Sequence, residues 1–218
     1  MSRRSPPPKA SARRDLPRKR VAGGRIVLER REVVASILVA RSDALVVTGL
    51  GSPTWDAAAA GDHPNNFYLW GGMGGAAMMG LGLARAQPKR RVIILTGDGE
   101  MLMGLGSLAT IGVDRPRSLC VIVLDNQRYA ETGMQTTHTE HGVDLAGVAR
   151  ASNFRSVITI YSQRELRRWI PRFYAGTGPV FAAVKIVPNQ PPLVLPPRDG
   201  TYVKNRFREA LLGKRAVT

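Results

Sequence analysis

Two oxygen-bearing side chains, Asp98 and Asn126, stand at the ends of two short apolar runs. The first run covers residues 92–96 and passes into Gly97-Asp98-Gly99. The second covers residues 119–124 and ends in Asp125-Asn126. A carboxylate and an amide oxygen are hard ligands of the kind that Mg²⁺ or Ca²⁺ takes. The flanking glycines let a backbone approach a ligand closely. A helix beginning after Gly99 turns its free N–H groups toward an anion. The chemistry these residues could do together is to hold a metal and a phosphate.

Bringing them together needs a particular framework. Both runs read as strands, and residues 101–111 between them read as an apolar, Gly-punctuated helix. Parallel strands joined by a helix place their C-terminal ends side by side, where ligands bind in open α/β sheets. Other segments extend the pattern. Residues 29–41 carry Val33, Val34, Ile37 and Leu38 at helical spacing. Residues 44–48 (ALVVT) form a first strand, and residues 76–86 a helix rich in Gly, Ala and Met. Residues 144–151 and 162–174 are helices, the second capped by Ser162 and bent or ended by Pro171. Residues 155–160 form a strand. Residues 178–187 form a continuous apolar strand, as in a sheet covered on both faces. Residues 201–212 form a last, basic helix after a Pro-rich extended stretch. Residues 54–69 read as a polar, mixed segment, in which His63 is a loop residue, and 127–142 as a polar loop. The fold class is α/β, in three layers, with a mostly parallel central sheet and helices on both faces.

The stretch from Arg91 to Ala130 resembles the signature of thiamine diphosphate (thiamine pyrophosphate, TPP)-dependent enzymes: GDG, a spacer, then a paired Asn, here Asp125-Asn126. The resemblance implies the thiamine diphosphate-binding fold with that cofactor and Mg²⁺. It makes Asp98, the Asn126 side chain and the backbone carbonyl of Arg128 the metal ligands. Gly97, Gly99 and Glu100 would line the diphosphate, although many relatives carry a small hydroxyl residue where this chain has Glu100. Tyr129 belongs to the segment that covers the diphosphate. The turn at Gly49 and Leu50 matches one that touches the diphosphate through backbone atoms. It is not a dinucleotide fingerprint, because the third glycine is missing and Pro53 interrupts. Trp70-Gly71-Gly72-Met73-Gly74-Gly75 resembles the segment whose apolar side chain wedges beneath the bent cofactor. That wedge is Met73, an unbranched and polarisable side chain. The Gly71 carbonyl, with Gly72 beside it, would accept from the pyrimidine amino group. His138 and His141 would border a substrate carboxylate or sulfonate. Their spacing could suit a metal pair, but no third ligand accompanies them.

Composition narrows the alternatives. A chain of 218 residues suits one α/β domain. Residues 1–24 read as a disordered, basic, Pro/Ser-rich arm, and residues 25–218 as a single diphosphate-binding domain. A transit peptide is the rival reading of the arm; its Pro-Pro-Pro run argues against an amphipathic helix. The net charge is +16, yet residues 1–20 hold eight Arg or Lys against one Asp. No nucleic-acid-binding motif accompanies the charge, so it fits attraction of anionic substrates better than nucleic-acid binding. No stretch is apolar and long enough to span a bilayer. The single Cys120 cannot form an internal disulfide, which fits a cytoplasmic location.

A TPP-dependent enzyme also needs a pyrimidine-binding domain, which supplies an activating glutamate. This chain resembles only the diphosphate-binding half. The resemblance therefore implies a separate pyrimidine-binding α subunit, a hetero-oligomer of α2β2 or larger form, and an active site at the interface. No catalytic residue is expected from this chain. The pattern is nearest to the β subunits of split sulfopyruvate and phosphonopyruvate decarboxylases, which act on small 2-oxo acids. Oxoacid:ferredoxin oxidoreductases, also split, usually carry cluster cysteines in this subunit, and one cysteine does not supply them. An acetolactate synthase-like carboligase subunit and a non-catalytic cofactor-binding scaffold are the alternatives.

Overall fold

The strand segments are apolar on both sides, so they are stable only inside a sheet covered on both faces. The computed structural model, which describes residues 28–216, folds them that way. The arm expected over residues 1–24 lies outside the described residues. Six strands make one parallel sheet: β1 (Leu45–Thr48), β2 (Asn66–Tyr68), β3 (Val92–Gly97), β4 (Leu119–Asp125), β7 (Ser156–Ile160) and β8 (Val180–Lys185). Their order across the sheet is β2-β1-β3-β4-β8-β7. Residues of alternate parity face opposite sides. Val46, Ile93, Leu95, Cys120, Ile122 and Val184 pack on α1 (Arg30–Leu38) and α7 (Gln163–Ala175). Val47, Ile94, Val121, Val123 and Phe181 pack on α3 (Ala76–Ala86), α5 (Ser107–Asp114) and α6 (Leu145–Ala151). The expected three layers are present. A last helix, α8 (Gly200–Leu212), is capped by Asp199 and docks Phe207 edge-on against Phe67.

Four segments differ from the sequence reading. Residues 54–69 are not irregular: they include most of α2 (Ser52–Ala59) and all of β2. Pro53 sits in the first turn of α2, where a missing N–H costs no hydrogen bond, and Gly51 enters the helix at φ 78°. The single helix expected over 101–111 is two, α4 (Asp98–Met103) and α5. Gly104 separates them because it lies against the Gly-rich loop: a Cβ there would sit 2.2 Å from the Gly74 carbonyl oxygen. Helix α4 also starts directly at Asp98, so the GDG triplet closes a strand and opens a helix without an intervening turn. Pro171 does not end α7, which runs on to Ala175 and buries Phe173. The loop over 127–142 contains a small antiparallel hairpin, β5 (Arg128–Tyr129) and β6 (Gln135–Thr136), with a 3₁₀ turn between them.

Candidate active site

The chain leaves β1 toward the sheet edge through α2 and β2, and β3 returns on the other side of β1. Such a switch point opens a crevice at the C-terminal strand ends. A cavity of about 150 Å³ lies there. Leu50 and Pro53 reach it from the turn after β1, and Met73 from the Gly-rich loop. Gly97, Asp98, Gly99 and Glu100 line it after β3, and Asn126, Arg128 and Tyr129 after β4. Register explains the convergence of the last two groups: Gly97 pairs with Leu124, so Asp98 and Asn126 leave adjacent strands at nearly the same level.

Asp98 is buried. Its Oδ2 accepts from the Thr137 hydroxyl at 2.5 Å and from the Thr139 hydroxyl at 3.2 Å. Burial, and then the neighbouring Asp125, push its pKa up to about 6, with the two hydroxyls acting in the opposite direction. Asp125 accepts from Thr139 at 2.8 Å and from Lys185 Nζ at 2.5 Å. Thus two carboxylates share one threonine, and the available ammonium belongs to Asp125. Among the described residues no cationic side chain pairs with Asp98. Asn126 turns its Oδ1 to the Arg128 N–H at 2.9 Å, which fixes the amide at the cavity edge and leaves its oxygen a second lone pair. The Arg128 guanidinium donates to the Gln127 carbonyl at 2.8 Å and lies 3.5 Å from Glu140.

The other predicted residues fall into three groups. Tyr129 lies over Gly99, where a Cβ would come within 2.6 Å of the ring. Glu100 reaches the cavity wall but sends its carboxylate underneath. It accepts from Thr96 Oγ1 at 2.6 Å and the Ala76 N–H at 3.3 Å. Burial raises its pKa against these bonds and those of the Leu50 and Gly74 N–H groups. It is a tie between three loops. Gly49 adjoins it: a Cβ there would lie 1.4 Å from Glu100 Oε2. Gly49, Gly71 and Gly72 do not line the cavity; Gly71 is exposed, and Gly72 backs onto Leu69. His138 and His141 are exposed and lie off the cavity wall. His138 Nδ1 is 3.4 Å from the Tyr129 hydroxyl, and His141 Nε2 is 3.2 Å from Thr136 Oγ1. Thr137, Thr139, Lys185 and Arg30 are the site residues that the sequence reading missed. The threonines carry only a weak signal, two hydroxyls in a polar loop. Lys185 shows itself as a lone charge inside an apolar strand.

The matched family model is the thiamine pyrophosphate enzyme, C-terminal TPP binding domain, over residues 50–184. The chain belongs to this family. It is 36% identical over 188 residues to the sulfopyruvate decarboxylase subunit beta of Methanothermobacter thermautotrophicus, covering 86% of this chain and 98% of that one. It is 33% identical over 187 residues to the protein of the same name from Methanococcus maripaludis, again covering 98% of the relative. It is 39% identical to the phosphonopyruvate decarboxylase of Streptomyces viridochromogenes over 67% of this chain, but spans only 36% of that longer protein. The crystal structure of a protein from Mycobacterium smegmatis superposes with a TM-score of 0.64 at 22% identity. It covers 74% of this chain and 32% of its own, and it supports the fold.

The residues present fit the family's cofactor. Asp98 is a buried carboxylate beside a second acid, with no cation of its own, so a divalent ion there would relieve an existing repulsion. Among the described residues, no group of three His, Cys, Asp or Glu side chains could hold a metal unaided. A cation held by Asp98 would draw its remaining oxygens from other groups, and amide, carbonyl and ligand oxygens are of the kind Mg²⁺ takes.

Proposed function

We propose that the chain is the diphosphate- and Mg²⁺-binding subunit of a two-subunit TPP-dependent decarboxylase acting on a small 2-oxo acid of the sulfopyruvate or phosphonopyruvate kind. The observation that carries the reading is the buried Asp98 carboxylate, paired with no cation among the described residues, set at the strand ends beside Asn126. Similarity over almost the full length of subunits named beta supports the two-subunit form. In this reading Asp98, Asn126 and the Arg128 carbonyl hold Mg²⁺. Gly97 leaves room for the diphosphate, Gly99 leaves room for the Tyr129 ring beside it, and Leu50 meets it from the turn after β1. Met73 supports the cofactor from below, with the Gly71 carbonyl at the rim. Tyr129, folded over Gly99, shields the diphosphate from water. When bound, thiamine diphosphate supplies the nucleophilic carbon and the electron sink for loss of CO₂. This chain contributes binding and orientation; a partner's glutamate supplies activation. We read the compartment as the cytoplasm, in keeping with the single, buried Cys120. No helix among the described residues is long and apolar enough to cross a membrane.

Trp55 donates to Glu131 on the cavity wall and packs edge-on against Trp70, so tryptophan fluorescence should report occupancy. Thiamine diphosphate with Mg²⁺ is expected to quench it, and Asp98→Ala to abolish the metal dependence. With the partner subunit added, 2-oxo acids should yield CO₂ and aldehyde. Absence of metal-dependent binding even with the partner present would overturn the reading, and a ligation product in place of aldehyde would reassign the reaction to a carboligase.

A further inference from the structure

Thr137 and Thr139 are, in sequence, two hydroxyls in a polar loop. The structure buries both: Thr137 is wholly covered and Thr139 is 5% exposed. A buried hydroxyl needs a partner, and here the partners are acids outside the loop. Thr137 donates to Asp98 Oδ2 at 2.5 Å. Thr139 Oγ1 lies 2.8 Å from Asp125 Oδ1, 3.2 Å from Asp98 Oδ2 and 2.9 Å from Thr137 Oγ1. The sheet fixes the far end of this network. Asp125 and Lys185 are register partners on β4 and β8, and Lys185 Nζ is 2.5 Å from Asp125 Oδ2. The contacts therefore run without a break from β8, through Asp125 and the two threonines, to Asp98 at the head of α4.

Both threonines grip Asp98 by the same oxygen. Its Oδ1 accepts no hydrogen bond from a described residue and, unlike Oδ2 of the buried Asp56, is not sealed from solvent. Asp98 lines the cavity. A carboxylate held by one oxygen presents the other in a fixed place, and carboxylates that ligate metals are commonly hydrogen-bonded in this way.

The backbone gives the network a second effect. The chain leaves the site through Asn126 and Arg128 and returns to it at Thr137. Between them stands the hairpin of β5 and β6, with Tyr129 lying over Gly99. Its neck is closed at Gln127, whose carbonyl accepts from the Thr137 N–H at 3.0 Å and whose Nε2 donates to the Thr139 carbonyl at 3.2 Å. Each strand of the hairpin is only two residues long, too short to hold the pair by itself. Both feet of the hairpin thus stand on the residues assigned to the metal: Asn126 and Arg128 on the way out, and Asp98, through the threonines, on the way back.

We propose that Thr137 and Thr139 are positioning residues for Asp98, and that through them the hairpin carrying Tyr129 closes in concert with metal binding. The proposal rests on the function proposed above and adds a regulation of its site. A cation that fixes Asp98 and the Arg128 carbonyl also fixes the feet of the hairpin. By linkage, a secured hairpin tightens the hold on the cation.

The full-length chain is titrated with Mn²⁺, which takes the same kind of oxygen ligands as Mg²⁺, in the presence of thiamine diphosphate. The titration is run alone and with the partner subunit added, and bound Mn²⁺ is read by electron paramagnetic resonance. Thr137→Val and Thr139→Val remove the hydroxyl and nearly keep the shape; Thr137→Ser and Thr139→Ser keep the hydroxyl. Thermal melting verifies folding. The valine variants are expected to bind Mn²⁺ about 10- to 100-fold more weakly, and the serine variants to stay close to wild type. Amide hydrogen exchange over residues 128–136 is expected to slow when Mn²⁺ is added to the wild-type chain, and to slow far less in the valine variants. Valine variants that bind as wild type does, or serine variants that lose as much as valine, overturn the proposal. Should the valine variants not fold, the wild-type exchange decides. Hairpin amides that Mn²⁺ protects support the proposal, and amides indifferent to it overturn it. A wild-type chain that takes up no Mn²⁺ even with the partner present defeats the function proposed above, and this proposal with it. A wild-type chain that binds Mn²⁺ while every variant matches it defeats this proposal alone.

Discussion

Asp98 holds its proton more tightly in the folded chain than in the unfolded one, because burial and Asp125 raise its pKa from 3.8 to about 6. The sign follows from linkage. The stabilisation from the bound proton is complete below the unfolded value of 3.8 and is lost as pH rises through about 6. For a shift of this size the loss is about 2–3 kcal/mol. The metal-free chain should therefore melt progressively lower between pH 4 and pH 7, whereas Asp98→Asn should lack that component. Parallel melting curves for the two proteins would refute the argument. Glu100 makes a second residue-scale prediction. Gly49→Ala places a methyl group where Glu100 Oε2 lies, and should destabilise the chain by about 1–3 kcal/mol through overpacking. Glu100→Ser in the same chain should recover much of that loss. Two penalties that simply add in the double variant would show that the residues are not coupled.

At the scale of elements, the break between α4 and α5 ties the Gly-rich loop to the metal side of the site. Gly104→Ala would push a methyl group onto the Gly74 carbonyl, which is backbone and cannot swing aside. The expected result is a loss of about 1–3 kcal/mol in denaturant unfolding, together with weaker cofactor binding as the loop carrying Met73 shifts. Unchanged cofactor affinity would separate the break from the site. The same element shows where a sequence stops being readable. The strands β3 and β4 and the acid and amide at their ends are plain, because apolar runs and GDG are local signals. The helix break is not, because its cause is a contact between residues 74 and 104. Helix α2 was hidden by Pro53, which reads as an interruption unless its place in the first turn is known. Strand β2 is three residues long and contains Asn66, so neither length nor composition marks it. Arg30 is the sharpest case. Its neighbours are charged, and only the packing of α1 on α2 puts it inside.

For the molecule as a whole, a site open at one side should carry its docking surface at the rim. Met73 is 40% exposed and lines the cavity, and Met103, 67% exposed, lies against the adjoining Gly74. Met103→Glu should leave the melting temperature of the isolated chain nearly unchanged. It should weaken assembly with the partner subunit proposed above, seen as a shift of the complex toward free subunits in sedimentation velocity. A variant that assembles normally would move the interface elsewhere. The tie made by Glu100 also has a consequence in evolutionary time. A glutamate at this position packs its carboxylate where a side chain at position 49 would lie, so the acid and the glycine favour each other. Related chains that carry the acid are therefore expected to carry glycine at position 49 as well, and an alignment of such chains in which the acid stands beside larger residues at 49 would refute the coupling.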